Sequence, residues 1–335
     1  MKIPTVSKVA MMTLLLLALS FLSTFLSNAY AMQAFNISGT KNAPEIYVVD
    51  SYESKVSIIK GSTVVKTLKV GSYPEQAAYD PATHQIFVSD VTGDELTVIA
   101  TETNSIVRTI TGFSYPTGIA LALNNHMIYV ADFTSQSVSV VNPKTDSIVA
   151  TIGVGVEPQD MAYDPKNNEV YVTNTGLDGD GMTVSAISTT TNEVVKTVYV
   201  GLNPRGIAVN PLNFDVYVCN YDSGSISVIS TKNVVTKTIT GFSEPWTITY
   251  NPSNLGFYVG DRGTNSVYVL NATNNKIVAT IKGFDAPMGS VYDPSNQEVY
   301  VSNWWHSNYV TIIRGLVAVE NVTVLEWPWG LAATD

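Results

Sequence analysis

Seven times along this chain a short apolar strand ends at an Asp or Asn, and the spacing of the copies constrains every other reading. Ile46-Tyr47-Val48-Val49-Asp50, Ile86-Phe87-Val88-Ser89-Asp90, Ile128-Tyr129-Val130-Ala131-Asp132 and Val170-Tyr171-Val172-Thr173-Asn174 are the first four. Val216-Tyr217-Val218-Cys219-Asn220, Phe257-Tyr258-Val259-Gly260-Asp261 and Val299-Tyr300-Val301-Ser302-Asn303 complete the set. The aromatic residues stand at 47, 87, 129, 171, 217, 258 and 300, so the steps are 40, 42, 42, 46, 41 and 42 residues. A β-rich period of about 42 residues is the mark of propeller blades, since one such unit cannot bury both its faces without neighbours.

Within each period the same order of signals returns. A Pro opens it (Pro74, Pro116, Pro158, Pro204, Pro245, Pro287, Pro328), followed by a strand of small residues such as Gly206-Ile207-Ala208-Val209. Asp80-Pro81, Asp164-Pro165, Asn210-Pro211, Asn251-Pro252 and Asp293-Pro294 then mark turns. The aromatic strand comes second. Alternating third and fourth strands follow, as in Ser225–Ile229 and Ile277–Ile281. Small residues suit a crowded axis, and the non-alternating aromatic strand suits burial on both faces. The third and fourth strands are expected further out, each with one side towards water.

The two ends complete each other. The first repeat starts at its second strand, from Glu45, and the last one stops after Pro328-Trp329-Gly330-Leu331-Ala332-Ala333. The expectation is therefore an all-β, seven-bladed propeller of four-stranded antiparallel blades, its ring closed by the C-terminal strand joining the N-terminal blade. Closure removes the free sheet edges that invite aggregation. One domain over 45–335 follows, after a leader over 32–44.

Residues 1–31 are of another kind. Lys2 and Lys8 precede an apolar run from Val9 to about Leu26, and Ala29-Tyr30-Ala31 resembles a cleavage site, which is the form of a secretory signal peptide. If the segment is retained, it is the only expected link to a membrane. Asn36, Asn271 and Asn321 head Asn-x-Ser/Thr triplets compatible with export. The net charge of −10 disfavours nucleic acid as a partner. Cys219, the single cysteine, can form no internal disulfide and reads as a small buried residue.

Tyr171-Val172-Thr173-Asn174, with the neighbouring Asp/Asn-Pro and Val-x-Thr-Ile pieces, resembles the YVTN family of β-propeller repeats found in archaeal surface-layer proteins and many exported proteins. The resemblance covers residues 45–335. It implies a fold and an exported location, and it leaves function open, because such repeats serve structural, binding and enzyme-associated proteins alike.

Register gathers the five tryptophans on one face. Trp246 follows Pro245, Trp327 and Trp329 flank Pro328, and Trp304 and Trp305 open the loop of the seventh repeat beside His306. Such a cluster either binds a ligand or plugs the channel mouth. The residues after each Pro should ring that mouth: Glu75, Thr117, Gln159, Arg205, Trp246, Met288 and Trp329. Arg205, Asp160 and Glu75 are candidates to fix a polar ligand, or equally to pair for structural reasons. The longer fourth repeat carries Asp178 and Asp180 among glycines, a fragment of a calcium-loop pattern that otherwise reads as an acidic turn. Three histidines, at 84, 126 and 306, are too few for a copper cluster, and no Cys-x-x-Cys-His offers covalent haem.

These features together are read as an exported extracellular or cell-surface protein. It is expected to be a non-catalytic binding or scaffold propeller, without a cofactor unless calcium binds. A protein or glycan partner at the cell envelope would meet Trp246, Trp304, Trp305, His306, Trp327, Trp329 and Arg205. The alternative is a propeller enzyme of lactonase or lyase type working at the same mouth. A non-catalytic subunit of an exported redox complex is a third reading.

Overall fold

The computed structural model of the chain describes residues 44–305 and 307–334; the expected export signal over 1–31, nearly all of the expected leader, and His306 lie outside the described residues. Twenty-eight strands, from Ile46–Asp50 to Pro328–Ala333, form seven four-stranded antiparallel sheets. We number the blades by their aromatic strands. Blade 4, for example, comprises Pro158–Asp164, Glu169–Asn174, Thr183–Ser188 and Glu193–Tyr199, from the axis outwards. Blade 1 takes its inner strand from the C-terminus: Pro328–Ala333 pairs with Ile46–Asp50, with Tyr47 opposite Ala332. The Glu45 and Thr334 backbones also bond there, and Thr334 Oγ1 accepts from the Glu45 N–H at 2.9 Å.

The inner strands are small-residue strands for a steric reason. A Cβ on Gly118 would lie 2.5 Å from the Gln159 carbonyl oxygen of the next blade, and one on Gly330 would lie 2.5 Å from that of Glu75. The aromatic strands are buried throughout. Seven apolar clusters each span two adjacent blades, such as Tyr217, Cys219, Ile226 and Val228 with Phe257, Val259 and Leu270. Cys219 is buried there and its thiol is pushed well up by burial.

The third strands depart from expectation. Ser225–Ile229 and Ser137–Val141 are buried at every position, whereas the fourth strands, such as Glu193–Tyr199, alternate or lie open. Blades stay packed face to face out to the third strand and fan apart only at the fourth, so the alternation of Ser and Val marks two buried faces, one of which holds hydroxyls.

Those hydroxyls explain the Asp or Asn that ends the aromatic strand in every blade but the sixth, where Asp261 accepts from Ser243, Glu244 and Thr264 instead. Ser57, Thr97 and Ser139 donate to Asp50, Asp90 and Asp132 at 2.6, 2.6 and 2.5 Å, while Asn220 Nδ2 donates to Ser227 at 3.0 Å. The same carboxylate or amide accepts from the loop that leads into its own blade's inner strand, as Asp132 does from Ser114 N–H at 2.9 Å. Gly71 is glycine because a Cβ there would lie 2.5 Å from Asp90 Cγ. The Asp-Pro and Asn-Pro pairs are side-chain-closed turns: Asp164 Oδ1 accepts from Lys166 N–H at 2.8 Å.

On the face opposite the tryptophans, the buried tyrosines latch each blade to the next. Tyr129, Tyr171 and Tyr217 donate through their hydroxyls to Asn192, Asn233 and Asn275 of the following blade at 2.7, 2.6 and 2.6 Å. Tyr47 reaches Asn104, while Tyr258 and Tyr300 reach the carbonyls of Gly315 and Gly61. Phe87 has no hydroxyl. There Arg108 of the same blade binds Asp146 of the next at 2.7 Å instead.

Candidate functional site

Two rings of residues frame the other end of the channel, and backbone geometry sets both. Tyr73, Tyr115, Glu157, Asn203, Ala286 and Trp327, each just before a repeat Pro, adopt left-handed φ between 46° and 59°. Their carbonyls, with that of Glu244 in the seventh case, accept the N–H of the residue that follows the aromatic strand. That second ring is Ser51, Val91, Phe133, Thr175, Tyr221, Arg262 and Trp304. The first ring is the set after each Pro, of which Glu75, Gln159, Arg205, Trp246, Met288 and Trp329 line one cavity together with Asp160. The cavity holds about 30 Å³, room for a water or two and not for a substrate, so a larger ligand must sit above it at the mouth.

One arc of the mouth is aromatic. Trp304 lies 5.3 to 5.6 Å from Trp305, Trp327 and Trp329, and Trp329 lies 6.2 Å from Trp246. The five indoles therefore form one connected group, with Tyr221 edge-on to Trp246 at 5.3 Å and Tyr52 against Trp327 at 5.0 Å. Trp305 is 53% exposed and the other four are half-buried, so the group walls the mouth without entering the blade cores. His306, expected beside them, is outside the described residues.

The other arc is polar. Glu75 is 6% exposed, and Gln159 Nε2 donates to its Oε1. Gln159 Oε1 in turn accepts from Arg205 at 3.2 Å, so the amide relays between guanidinium and carboxylate. Burial pushes the Glu75 carboxyl up to about 7, although Arg205 and Gln159 pull it the other way. Asp160, on the same strand as Gln159, accepts from the N–H groups of Met161 and Ile207 at 2.8 and 3.3 Å; burial raises it to about 6. Burial also lowers Arg205.

Arg205 and Arg262 join the two arcs. Their guanidinium carbons lie 4.6 and 4.9 Å from the Trp246 ring centre, and that of Arg262 lies 5.5 Å from both Tyr221 and Trp304. The Nε atoms of both arginines and the Nε1 of Trp304 are buried donors that meet no acceptor among the described residues. Each unmade bond of this kind costs about 1–3 kcal/mol. Arg262 was not singled out in the sequence, yet it occupies the same repeat position as Trp304, one residue beyond the Asp or Asn.

Asp178 and Asp180 lie on the same face but outside the cavity lining, in a turn over Leu177–Gly179 closed by the Gly181 N–H on Thr175 O at 2.7 Å and tied to the mouth by the Asn203 N–H on Gly181 O at 2.8 Å. Calcium takes six to eight oxygens, and among the described residues no group of three or more His, Cys, Asp or Glu is placed to hold a metal ion. At the mouth, Arg205 beside Glu75 and Asp160 opposes a dication. Neither donor set fits calcium. His84 and His126 are exposed, in left-handed turns.

The model of the family described as Arylesterase matches residues 96–198, from the third strand of blade 2 to the outer strand of blade 4, a span that includes Thr117, Gln159 and Asp160. No curated protein matches the chain by sequence. Among solved structures, hydrazine synthase of Kuenenia stuttgartiensis is 20% identical with a TM-score of 0.70, over 81% of this chain and 92% of that one. A functionally unknown protein from Desulfotomaculum acetoxidans is 15% identical with a TM-score of 0.76, over 88% and 99%. The dihydro-heme d1 dehydrogenase NirN is 10% identical with a TM-score of 0.65, over 88% and 76%. These likenesses are of fold. The arylesterase match is to an enzyme family, and it overturns the expectation of a non-catalytic binding or scaffold protein. The chemistry that the indoles adjoin arises only on folding, which buries Glu75 and Asp160 beside Arg205 and raises both carboxyls.

Proposed function

We propose that the chain is a propeller hydrolase of arylesterase or lactonase type, with its reaction at the channel mouth. The observation that carries this reading is Glu75: a buried carboxylate poised near neutrality, oriented by Gln159, beside an arginine with a free donor. In this reading Glu75 takes a proton from water in the small cavity, and the resulting hydroxide adds to the ester carbonyl carbon. The guanidinium of Arg205 stabilises the oxygen that becomes negative. Collapse expels the alcohol or phenol, which takes the proton back from Glu75, and leaves the acid. Gln159 and Arg205 hold the carboxylate in place, and the indole wall excludes water from the ester.

The arylesterase match over 96–198 supports the substrate class. The YVTN assignment, the export signal over 1–31 and an extracellular or cell-surface location belong to the same proposal. They rest on Tyr171-Val172-Thr173-Asn174 and on the apolar run after Lys8.

The test is turnover of phenyl acetate and of a five-membered aryl lactone by wild type and Glu75→Gln, with chelator present throughout. Loss of about 10²–10⁴-fold in kcat/KM in the folded variant is expected. Equal rates in the two proteins, or none in wild type, would sink the reading.

A further inference from the structure

We infer that Arg205 and Arg262 form a carboxylate-binding site at the mouth, built for an anion carried on a flat ring. The inference deepens the proposed hydrolase reading and rests on it for one point only, that the ligand is then an ester or lactone bearing a carboxylate. Three observations converge on it.

The first is charge. Among the described residues the ion pairs are Lys55–Glu53, Arg108–Asp146 and Arg314–Glu298. In a chain of net charge −10, the two arginines at the mouth thus make no direct ion pair among the described residues, and Arg205 meets Glu75 only through the Gln159 amide. The second is hydrogen bonding. Three of the four buried donors without a partner among the described residues are Arg205 Nε, Arg262 Nε and Trp304 Nε1, and all three adjoin Trp246 or its neighbours. The guanidinium fork presents paired N–H groups that match the two oxygens of a carboxylate, which a point charge such as lysine does not. The third is shape. Trp246, Trp304 and Trp329 give the mouth flat walls on which a ring can lie, and both guanidinium groups are held in place by the same indole. A neutral ligand would leave the arginine donors unmet, and a small inorganic anion would leave the indoles unused.

Calorimetric titration tests this with 2-naphthoate and its neutral counterpart, 2-naphthylmethanol. Wild type should bind the acid at least about ten-fold more tightly than the alcohol, with the preference shrinking as salt is raised. Arg262→Gln should weaken the acid by about ten-fold and leave the alcohol unchanged, and Arg262→Lys should recover only part of the loss. Thermal unfolding of each variant establishes that it is folded. Equal affinity of wild type for acid and alcohol, or a preference that salt does not touch, overturns the site without recourse to any variant. The readout is heat of binding, so failure of hydrolysis leaves it standing. Conversely, Glu75→Gln should lose turnover and keep naphthoate affinity.

Discussion

The two faces of the ring are made from the same repeat and solve opposite problems. On one face, Tyr129, Tyr171 and Tyr217 place the same hydroxyl on the same Asn of the next blade. On the other, no two residues after the repeat Pro are alike except Trp246 and Trp329, and three donors have no acceptor. Repetition serves stability, because each copy seals one blade interface. Its loss at the mouth frees seven positions for a site that a symmetric ring could not build.

The sharpest way to break this contrast is to truncate one residue on each face. Tyr217 is buried, lies 4.4 Å from Phe257 in ring-centre distance and latches blade 5 to blade 6. Tyr217→Ala should cost about 3–5 kcal/mol, read as a large fall in Tm and in the denaturant midpoint. Trp304→Ala removes a larger side chain from the mouth and should cost less than about 2 kcal/mol, because its indole contacts are with other half-exposed rings. Equal destabilisation would mean that the indoles are core and the two faces are not distinct in kind.

The contrast also explains what was legible in the chain. The spacing of Tyr47 to Tyr300 and the split blade at Glu45 and Trp329 were enough for the fold, because seven copies average out local ambiguity. The third strands were misjudged because alternation of Ser with Val reads as one wet face, when Ser227 and Ser139 turn theirs to the buried Asn220 and Asp132. The mouth was half legible: register gathered the indoles and Arg205, since a propeller brings equivalent positions together. Arg262 escaped because its position one beyond the tetrapeptide is Ser, Val, Phe, Thr, Tyr and Trp elsewhere, with no shared chemistry to flag it. The strained protonation of Glu75 was out of reach, being a property of burial and of Gln159, from a blade two further on.

A third expectation concerns the buried carboxylates that end the aromatic strands. Burial raises Asp90 and Asp50 to about 7, so the folded state prefers each protonated. Their contribution to stability is present in full below the unfolded carboxylate range near 4 and is lost as pH rises through about 7. The protein should therefore melt at a lower temperature at pH 8 than at pH 5. Blades 4, 5 and 7 already carry Asn at this position. Asp90→Asn should consequently raise stability at pH 8 by on the order of 1 kcal/mol and flatten the pH profile. The slope that persists in the variant belongs to the other buried carboxylates, Asp50, Glu75, Asp160 and Asp132 among them. A variant as pH-dependent as wild type would mean that Asp90 is ionised in the fold at a cost its Thr97 bond has already offset.

The smallest effect probes the one interface where the latch is missing. At Phe87 the acceptor position of the next blade is Asp146, engaged by Arg108 at a partly open surface. An ion pair so placed is worth about 0.2–1 kcal/mol, so Arg108→Ala should cost no more than that and lose its effect at high salt. Phe87→Tyr alone should change little, because the new hydroxyl finds its acceptor taken. Combined with Arg108→Ala it should restore stability, the tyrosine donating to Asp146 as Tyr171 does to Asn233. The double-mutant cycle measures this directly: a negative coupling energy means the two devices substitute for each other, whereas strict additivity would mean that Phe87 and Arg108 are unrelated and that the latch is not the common requirement of the seven interfaces.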